Sequence, residues 1–405
     1  MNGQIPYIIG VGPGSPGFLY PIAKDLIDRA DIVIGGRRQL TEFAPNAPET
    51  VVIDKGLSSI LALIESKWRE KRLVVLASGD TGLFSIRAYL QNRLPDVPFK
   101  VLPGISSLQC LLAHCNANLN DLKIITLHGA ADANLQNTVM MNPLTAIFCG
   151  GENTPQSIAA KLTRLKFASL WLTVGENLSY PEERVSCGSP ADIAQGDFSE
   201  LSVMLIKNND PASRPWPYLP AGIADEAFTR GNVPMTKSEV RAVITAKLHL
   251  TPQSRLLEIG SGTGSVTIEA ALAAYNGSVI SLEKNPAAVA LCRENLARFG
   301  LDNVKLIEGE APAAIPEDAI FDRVFIGGSG GNLADIIKSL GEKPLRAVIS
   351  AITLESAGEA LTALQDCGFS DIEAVQITAA RSRPAGSKHL MLGLNPVTII
   401  SGERK

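Results

Sequence analysis

Two glycine-rich stretches of this chain have residue types and spacings that suit small-molecule chemistry. The later one is EIGSGTGSV, residues 258–266. Glycine at 260, 262 and 264 permits a tight turn and a close approach of a ligand to the backbone. A helical pattern follows, and the free N–H groups of its first turn face that loop. The spacing is GxGxG, whereas dinucleotide sites use GxGxxG. Glu258 stands two positions before the first glycine. An acid there suits an ammonium group and repels a diphosphate. Glu283 ends the apolar stretch SVISLE, where an acid accepts hydrogen bonds from both ribose hydroxyls. VKLIEGEA ends a third apolar stretch at Glu308, with Glu310 and Ala311 just beyond, and DRVFIGGSGG closes a fourth with a glycine turn. Glu308 by itself reads as a solvated strand-end carboxylate. The earlier stretch is VGPGSPG, residues 11–17. It lacks the Lys and Ser/Thr of an ATP-binding loop.

The elements that must position these residues alternate short apolar strands with amphipathic helices along the whole chain, an α/β pattern. In the first half the strands are YIIGV, IVIG, LVVLA, IITL, TAIFC, LWLTV and SVMLI. In the second half RLLEI, SVISLE, VKLIE, DRVFI, AVISAIT, IEAVQITAA and LMLGLNPVTII make a seven-strand sheet. Between the halves, KNNDPASRPWPYLPAG has four prolines and no periodicity, which reads as a linker. The expected division is residues 1–207, a linker at 208–227, and residues 228–405, without internal duplication.

The bulk numbers narrow the function. With 405 residues, two or three domains are expected. Hydrophobic residues make up 45% and charged residues 19%, the balance of an ordinary globular protein. The net charge of −4 gives no basis for non-specific nucleic-acid binding. The six cysteines are scattered without a CxxC pair and the four histidines are isolated, so neither a disulfide framework nor a metal centre is expected. The N-terminus has no signal-peptide pattern, and no apolar run reaches the roughly 18 residues of a membrane helix. A cytoplasmic protein is the expectation.

E-x-G-x-G-x-G at 258–264 resembles motif I of the class I S-adenosylmethionine methyltransferases. Together with RGNVPMTKSEVRAVITAKL, the FIGG turn and the terminal LNPVTII, residues 228–400 resemble the precorrin C15-methyltransferase and decarboxylase family. The resemblance implies a Rossmann-like class I fold. Cofactor contacts are then expected from Glu258, Gly260, Ser261, Gly262, Thr263, Gly264, Glu283, Glu310, Ala311 and Thr236. Thr236 also reads as the N-cap of a helix, with Glu239 at N3. In the first half YIIGVGPGSPG, VIGGRRQL, LVVLASGDTGLFS, VLPGISSLQ and VGENLSYPEERV resemble the tetrapyrrole (corrin and porphyrin) methylase family. This implies an unrelated two-lobed α/β fold, usually in a homodimer, which also uses S-adenosylmethionine. Gly79, Asp80, Thr81, Ser106 and Ser107 would line the cofactor, and Gly12 and Pro13 would face the substrate. Thr81 stands where many relatives have proline. Without the resemblance, SGDTG reads as a strand-end turn in which Asp80 bonds its own backbone.

What the two resemblances jointly imply is methyl transfer to C5 and C15 of a tetrapyrrole and loss of CO2 from its C12 acetate. Each domain would bind one S-adenosylmethionine, the N-terminal one serving C5 and the C-terminal one serving C15 and decarboxylation. The chemistry would rest mainly on positioning, without a dedicated base. The substrate's carboxylates call for Arg. Arg37, Arg38, Arg381 and Arg383 are candidates, with Gly327 and Gly328 in the turn over the pocket; each cluster reads equally as a solvated basic loop. A nucleic-acid or protein methyltransferase, and a carrier of corrin intermediates, are the rival classes. The sequence leaves open whether the ring arrives with cobalt and which residue assists decarboxylation.

Overall fold

The computed structural model describes residues 4–53, 56–127, 134–165, 169–210, 216 and 220–405. Its described residues form two compact units, one drawn from residues 1–131, 142–163 and 170–209, the other from 132–141, 164–169 and 210–405. Most of the proline-rich stretch, 211–215 and 217–219, lies outside the described residues. No described helix is long and apolar enough to cross a membrane.

The first unit holds two sheets. β1 (Tyr7–Gly10), β2 (Ile32–Gly35), β3 (Thr50–Val52), β4 (Leu73–Ala77) and β5 (Lys100–Leu102) form a parallel sheet in the order β3-β2-β4-β1-β5. Strands buried on both faces read as unbroken apolar runs. LVVLA is the example: Leu73 and Val75 join one core while Val74 and Leu76 join the other. The second sheet comprises β6 (Lys123–Thr126), β7 (Leu144–Phe148), β8 (Leu170–Glu176), β9 (Arg184–Gly188) and β10 (Ser202–Asn208), ordered β6-β7-β10-β8-β9. β6 and β7 are parallel and the other pairs antiparallel. Sequence periodicity missed β3, β5 and β9. Their short, half-exposed runs carry little apolar signal.

In the second unit the strands are β11 (Arg255–Ile259), β12 (Ser278–Glu283), β13 (Val304–Glu308), β14 (Arg323–Ile326), β15 (Leu345–Ala351), β16 (Ser370–Ile377), β17 (Ala380–Ala385), β18 (Lys388–Gly393) and β19 (Val397–Arg404). Seven of them form one sheet in the order β13-β12-β11-β14-β15-β19-β16, with β19 running antiparallel to both neighbours. The strand count agrees with the sequence reading, but LMLGLNPVTII is not one strand. LMLG belongs to β18, which pairs with β17 in a separate hairpin. The basic stretch ARSRPAGSKH is therefore a hairpin, not a loop.

Residues 222–228 also differ from the expected linker. Ile223 and Phe228 are buried with Ile268, Cys292 and Phe299. The N–H groups of Gly222 and Ile223 donate to the buried Glu269 carboxylate at 3.1 and 2.9 Å. These residues are part of the second unit's core, because a buried carboxylate demands fixed donors.

Candidate active sites

In the second unit, β11 runs straight into the glycine turn. Gly260, Gly262 and Gly264 have φ of +79°, +55° and +79°, where a side chain is strained. Gly260 is doubly constrained. A Cβ there would stand 2.8 Å from the N of Gly328, so the turns after β11 and β14 abut backbone to backbone. At Gly264 a Cβ would stand 2.6 Å from the Cys292 sulfur. Gly262 is different: a Cβ would meet only the Pro234 carbonyl, at 3.4 Å. Its outward face opens onto a pocket of about 620 Å³.

The pocket is lined by the segment Val233–Lys237, the glycine turn, Glu283, Lys284, Glu310, Ala311, Gly327 and Gly328, and on its far side by Ile352, Ile377, Ala379, Leu394 and Val397. Every expected cofactor residue of this half is in that lining except Gly264, which holds the turn from behind. Glu308 is not in it. The Glu283 carboxylate is aimed by two backbone donors, Gly262 N–H at 2.8 Å and Asn285 N–H at 2.9 Å. Each of its oxygens keeps a free lone pair for a ligand hydroxyl.

Glu258 is not the open anion that its motif position suggests. It is 1% exposed, and one carboxylate oxygen accepts from the Thr267 and Ser281 hydroxyls. Burial pushes its pKa up to about 7, opposed by those hydroxyl donors. Its other oxygen, Oε1, and the Thr263 hydroxyl are buried without a partner. Orphaned buried polar atoms call for an additional group. A glycine cradle, a ribose-type acid and two unsatisfied polar atoms in one pocket fit a nucleoside carrying an amino-acid tail.

Thr236 lines the pocket but does not cap the helix. That helix is Ser238–Lys247, with Lys237 at the N-cap and no side-chain cap of its own. The cap comes from outside the local sequence: Asp225 Oδ1 accepts from Ser238 N–H at 3.1 Å. The segment is held by Arg241, which is fully buried and donates to the Thr236 and Ile223 carbonyls, to Asp225 at 2.9 Å and to Glu269 at 2.9 Å. No sequence signal marked Arg241, Asp225 or Glu269, because Arg241 pairs with acids 16 and 28 positions away.

Arg381, a candidate for substrate contact, is engaged elsewhere. It donates to both oxygens of Glu239 at 2.9 and 2.6 Å, to Asp225 at 2.8 Å and to the Ser238 hydroxyl at 3.0 Å. Those contacts hold the Glu239 carboxyl near a pKa of about 2. Arg383 lies exposed on β17.

In the first unit three loops meet at the carboxyl ends of β1, β4 and β5, where parallel sheets place ligand crevices. Gly12 and Gly79 exchange backbone hydrogen bonds of 3.3 and 2.9 Å. Asp80 accepts from Gly82 N–H at 2.7 Å, the strand-end turn, and also from Gly104 N–H at 3.1 Å, which joins two loops. A Cβ on Gly104 would stand 2.3 Å from the Gly79 carbonyl. Thr81, 4% exposed, donates to the Leu102 carbonyl at 3.4 Å, which ties this loop to the end of β5. Ser106 caps the helix Ser107–Cys115, accepting from Leu108 N–H, while Gln109 accepts from Ser106 N–H. Pro13 lies in the loop between Gly12 and Gly14. Arg37 and Arg38 are exposed at the start of the helix Arg37–Phe43, with Arg38 over the Tyr180 ring at 5.6 Å.

Two families of known proteins match this chain. Residues 226–404 match the family described as the precorrin methyltransferase domain, and residues 7–194 match the tetrapyrrole (corrin/porphyrin) methylases. The probable cobalt-precorrin-6B C(15)-methyltransferase (decarboxylating) of Saccharolobus solfataricus is 40% identical over 196 residues, 47% of this chain and 98% of that protein. The cobalt-precorrin-6B C(15)-methyltransferase (decarboxylating) of Salmonella typhimurium is 41% identical over 185 residues, 45% of this chain and 95% of that protein. A crystal structure of a precorrin-6y C5,15-methyltransferase from Geobacter metallireducens is 36% identical, covering 46% of this chain and 98% of that one, with a TM-score of 0.43. With relatives matched at about 40% identity over nearly their whole length, the chain belongs to the precorrin methyltransferase family and is an S-adenosylmethionine-dependent methyltransferase.

Proposed function

We propose that this chain carries out the reactions of a precorrin-6Y C5,15-methyltransferase (decarboxylating): methylation of precorrin-6Y at C5 and C15 and decarboxylation of its C12 acetate, giving precorrin-8X in cobalamin biosynthesis. Residues 1–207 would serve C5, and residues from about 222 onward C15 and CO2 release. Each part would bind its own S-adenosylmethionine. The observation that carries the reading is the presence in one chain of matches to both families, each with its own strand-end glycine cradle.

Bound S-adenosylmethionine supplies an electrophilic methyl carbon, so the protein's task is alignment and exclusion of water. In the C-terminal pocket Glu283 would accept both ribose hydroxyls and Glu310 with Ala311 would flank adenine. Glu258 Oε1 and Thr263 would meet the amino-acid tail, and the segment at Thr236 would cover it. In the N-terminal cradle the loops at Gly79–Thr81 and Ser106–Ser107 would hold the cofactor, with Gly12 and Pro13 toward the tetrapyrrole. Leu390, Met391 and Leu392 are exposed on β18, which supports a homo-oligomer.

The test is to incubate the protein with precorrin-6Y and S-adenosylmethionine and weigh the product. Two methyl groups gained and one CO2 lost is the expected result; an unaltered tetrapyrrole rejects it. The relatives' names specify cobalt-precorrin-6B, which favours a second version of the same steps on a cobalt-containing ring. Running the assay with both rings separates the two.

A further inference from the structure

The C-terminal pocket has two chemically different halves. Its acids, Glu258, Glu283 and Glu310, sit with the glycine turn. The opposite wall, Ile352, Ile377, Ala379, Leu394 and Val397 with Ser350 and Asn395 among them, is mostly apolar and carries no acid. A tetrapyrrole laid on that wall brings carboxylates, and a carboxylate entering a partly buried site needs a cation or donor.

The lining contains two basic side chains, Lys237 and Lys284. Lys284 is paired with Glu310 at 2.8 Å, on the acidic side. Lys237 is in another position. Its backbone is fixed as the N-cap of the helix Ser238–Lys247. Its side chain is about one-third exposed, and its ammonium stands 3.8 Å from Asp225 Oδ2, beyond hydrogen-bond reach. Asp225 is already served: Oδ1 accepts from Arg241 and Ser238 N–H, and Oδ2 from Arg381. The Lys237 side chain makes no hydrogen bond among the described residues; it keeps only the long ion pair with Asp225, an acid that already accepts shorter bonds from Ser238 N–H, Arg241 and Arg381. The helix that begins beside it locates it: Val240, one turn on, packs in one cluster with Ile377 and Val397 of the opposite wall, so Lys237 borders the substrate half.

We propose that Lys237 is the anchor for a carboxylate of the tetrapyrrole in the C-terminal pocket, the role that the sequence pattern suggested for Arg381. The inference rests on the tetrapyrrole reading above. Arg381 and Arg241 act upstream of it: by occupying Asp225 they leave the lysine's donors for a ligand.

The test uses the full chain and two titrations. One follows S-adenosylhomocysteine binding by calorimetry; the other follows an octacarboxylate porphyrin by fluorescence. The N-terminal unit is the same in every variant, so differences report the C-terminal pocket. Lys237→Met should weaken one class of porphyrin site by about tenfold, the loss of one charge-assisted bond. Lys237→Arg should restore it to within about twofold, since both cations pair with carboxylates. S-adenosylhomocysteine affinity should be the same in all three proteins. In turnover, KM for the tetrapyrrole in CO2 release should rise about tenfold in the Met variant, with kcat little changed. Porphyrin titrations that coincide for wild type and Lys237→Met overturn the assignment. So does a parallel fall in S-adenosylhomocysteine affinity, or a loss produced by Lys284→Met instead. Failure of the wild type to bind any porphyrin overturns the tetrapyrrole reading itself, a result distinct from wild-type binding that ignores Lys237.

Discussion

At the scale of single residues, two of the pocket's carboxylates, Glu283 and Glu258, have opposite environments. Glu283 is held by two backbone N–H groups and faces the pocket, so it is set to accept hydroxyls. Glu283→Ala removes charge-assisted bonds worth roughly 1.5–3 kcal/mol and should lower S-adenosylhomocysteine affinity by about tenfold or more. Calorimetry checks this, and an unchanged affinity would dissociate Glu283 from the ribose. Glu258 is buried, and its pKa is raised to about 7 from an ordinary 4.5. The folded protein therefore binds this proton more tightly than the unfolded chain does. Its favourable contribution is complete below about pH 4.5 and is lost as pH rises through about 7, a loss of roughly 3 kcal/mol. Glu258→Gln keeps an acceptor for Thr267 and Ser281 but cannot ionise. The difference in melting temperature, variant minus wild type, should grow between pH 5 and pH 8 in ligand-free protein. A difference that is flat with pH would show that Glu258 keeps the same charge in both states.

At the scale of elements, the segment that walls the pocket is held from a distance. Residues 222–239 have few regular backbone contacts; Arg241, Asp225, Glu269 and Arg381 take their place. Removing a buried cation from between two buried carboxylates is costly. Arg241→Met should destabilise the C-terminal unit by about 3–5 kcal/mol, read as a lower midpoint in urea. Arg381 is one-third exposed and should matter less, about 1 kcal/mol for Arg381→Gln. If the two variants prove equally mild, the network is not what fixes the segment. The glycine turns give a related contrast. Gly260→Ala must push Gly328 away at a φ of +79°, whereas Gly262→Ala meets only a carbonyl at contact distance. Gly260→Ala should therefore cost more stability, and Gly262→Ala should act mainly on ligand binding.

At the scale of the whole molecule, the relatives matched at about 40% identity correspond in nearly their full length to 45–47% of this chain. A C-terminal piece beginning at residue 210 keeps Gly222, Ile223 and Asp225 and so keeps the pocket wall. It should express as a cooperatively folding protein that binds S-adenosylhomocysteine and releases CO2 from its substrate. It lacks the helix Leu135–Met141, which belongs to the second compact unit and whose Gln136 N–H donates to Asp302 at 2.7 Å. Its melting temperature should accordingly lie a few degrees below that of the same unit in the intact chain, roughly what 1 kcal/mol accounts for in a domain of this size. A piece beginning at residue 228 should fold poorly, since the Gly222 and Ile223 N–H donors to Glu269 are gone, and with them Asp225, the other acid on Arg241. If both pieces fold alike, the 222–227 segment is only a tether.

The order of apolar runs and glycine turns was legible from the sequence alone, since strands buried on both faces need continuous apolar residues and positive φ needs glycine. LVVLA, RLLEI and the 260–264 turn follow from that local physics. So did the place of Glu283 at a strand end beside the glycine turn, because it is set by chain distance within one βαβ unit. The tertiary structure alone decided which charges are free. Arg381 and Lys237 are both basic residues near the pocket in sequence terms, and only packing gives the first a short hydrogen bond to Asp225 and the second no more than a 3.8 Å ion pair with it. It also decided that Glu258 is enclosed, that LMLG leaves the sheet for a hairpin, and that Ile223 and Asp225 are core. The last of these depends on partners far along the chain, Glu269 and Arg381, and hydrogen bonding between distant groups leaves no periodicity in a sequence.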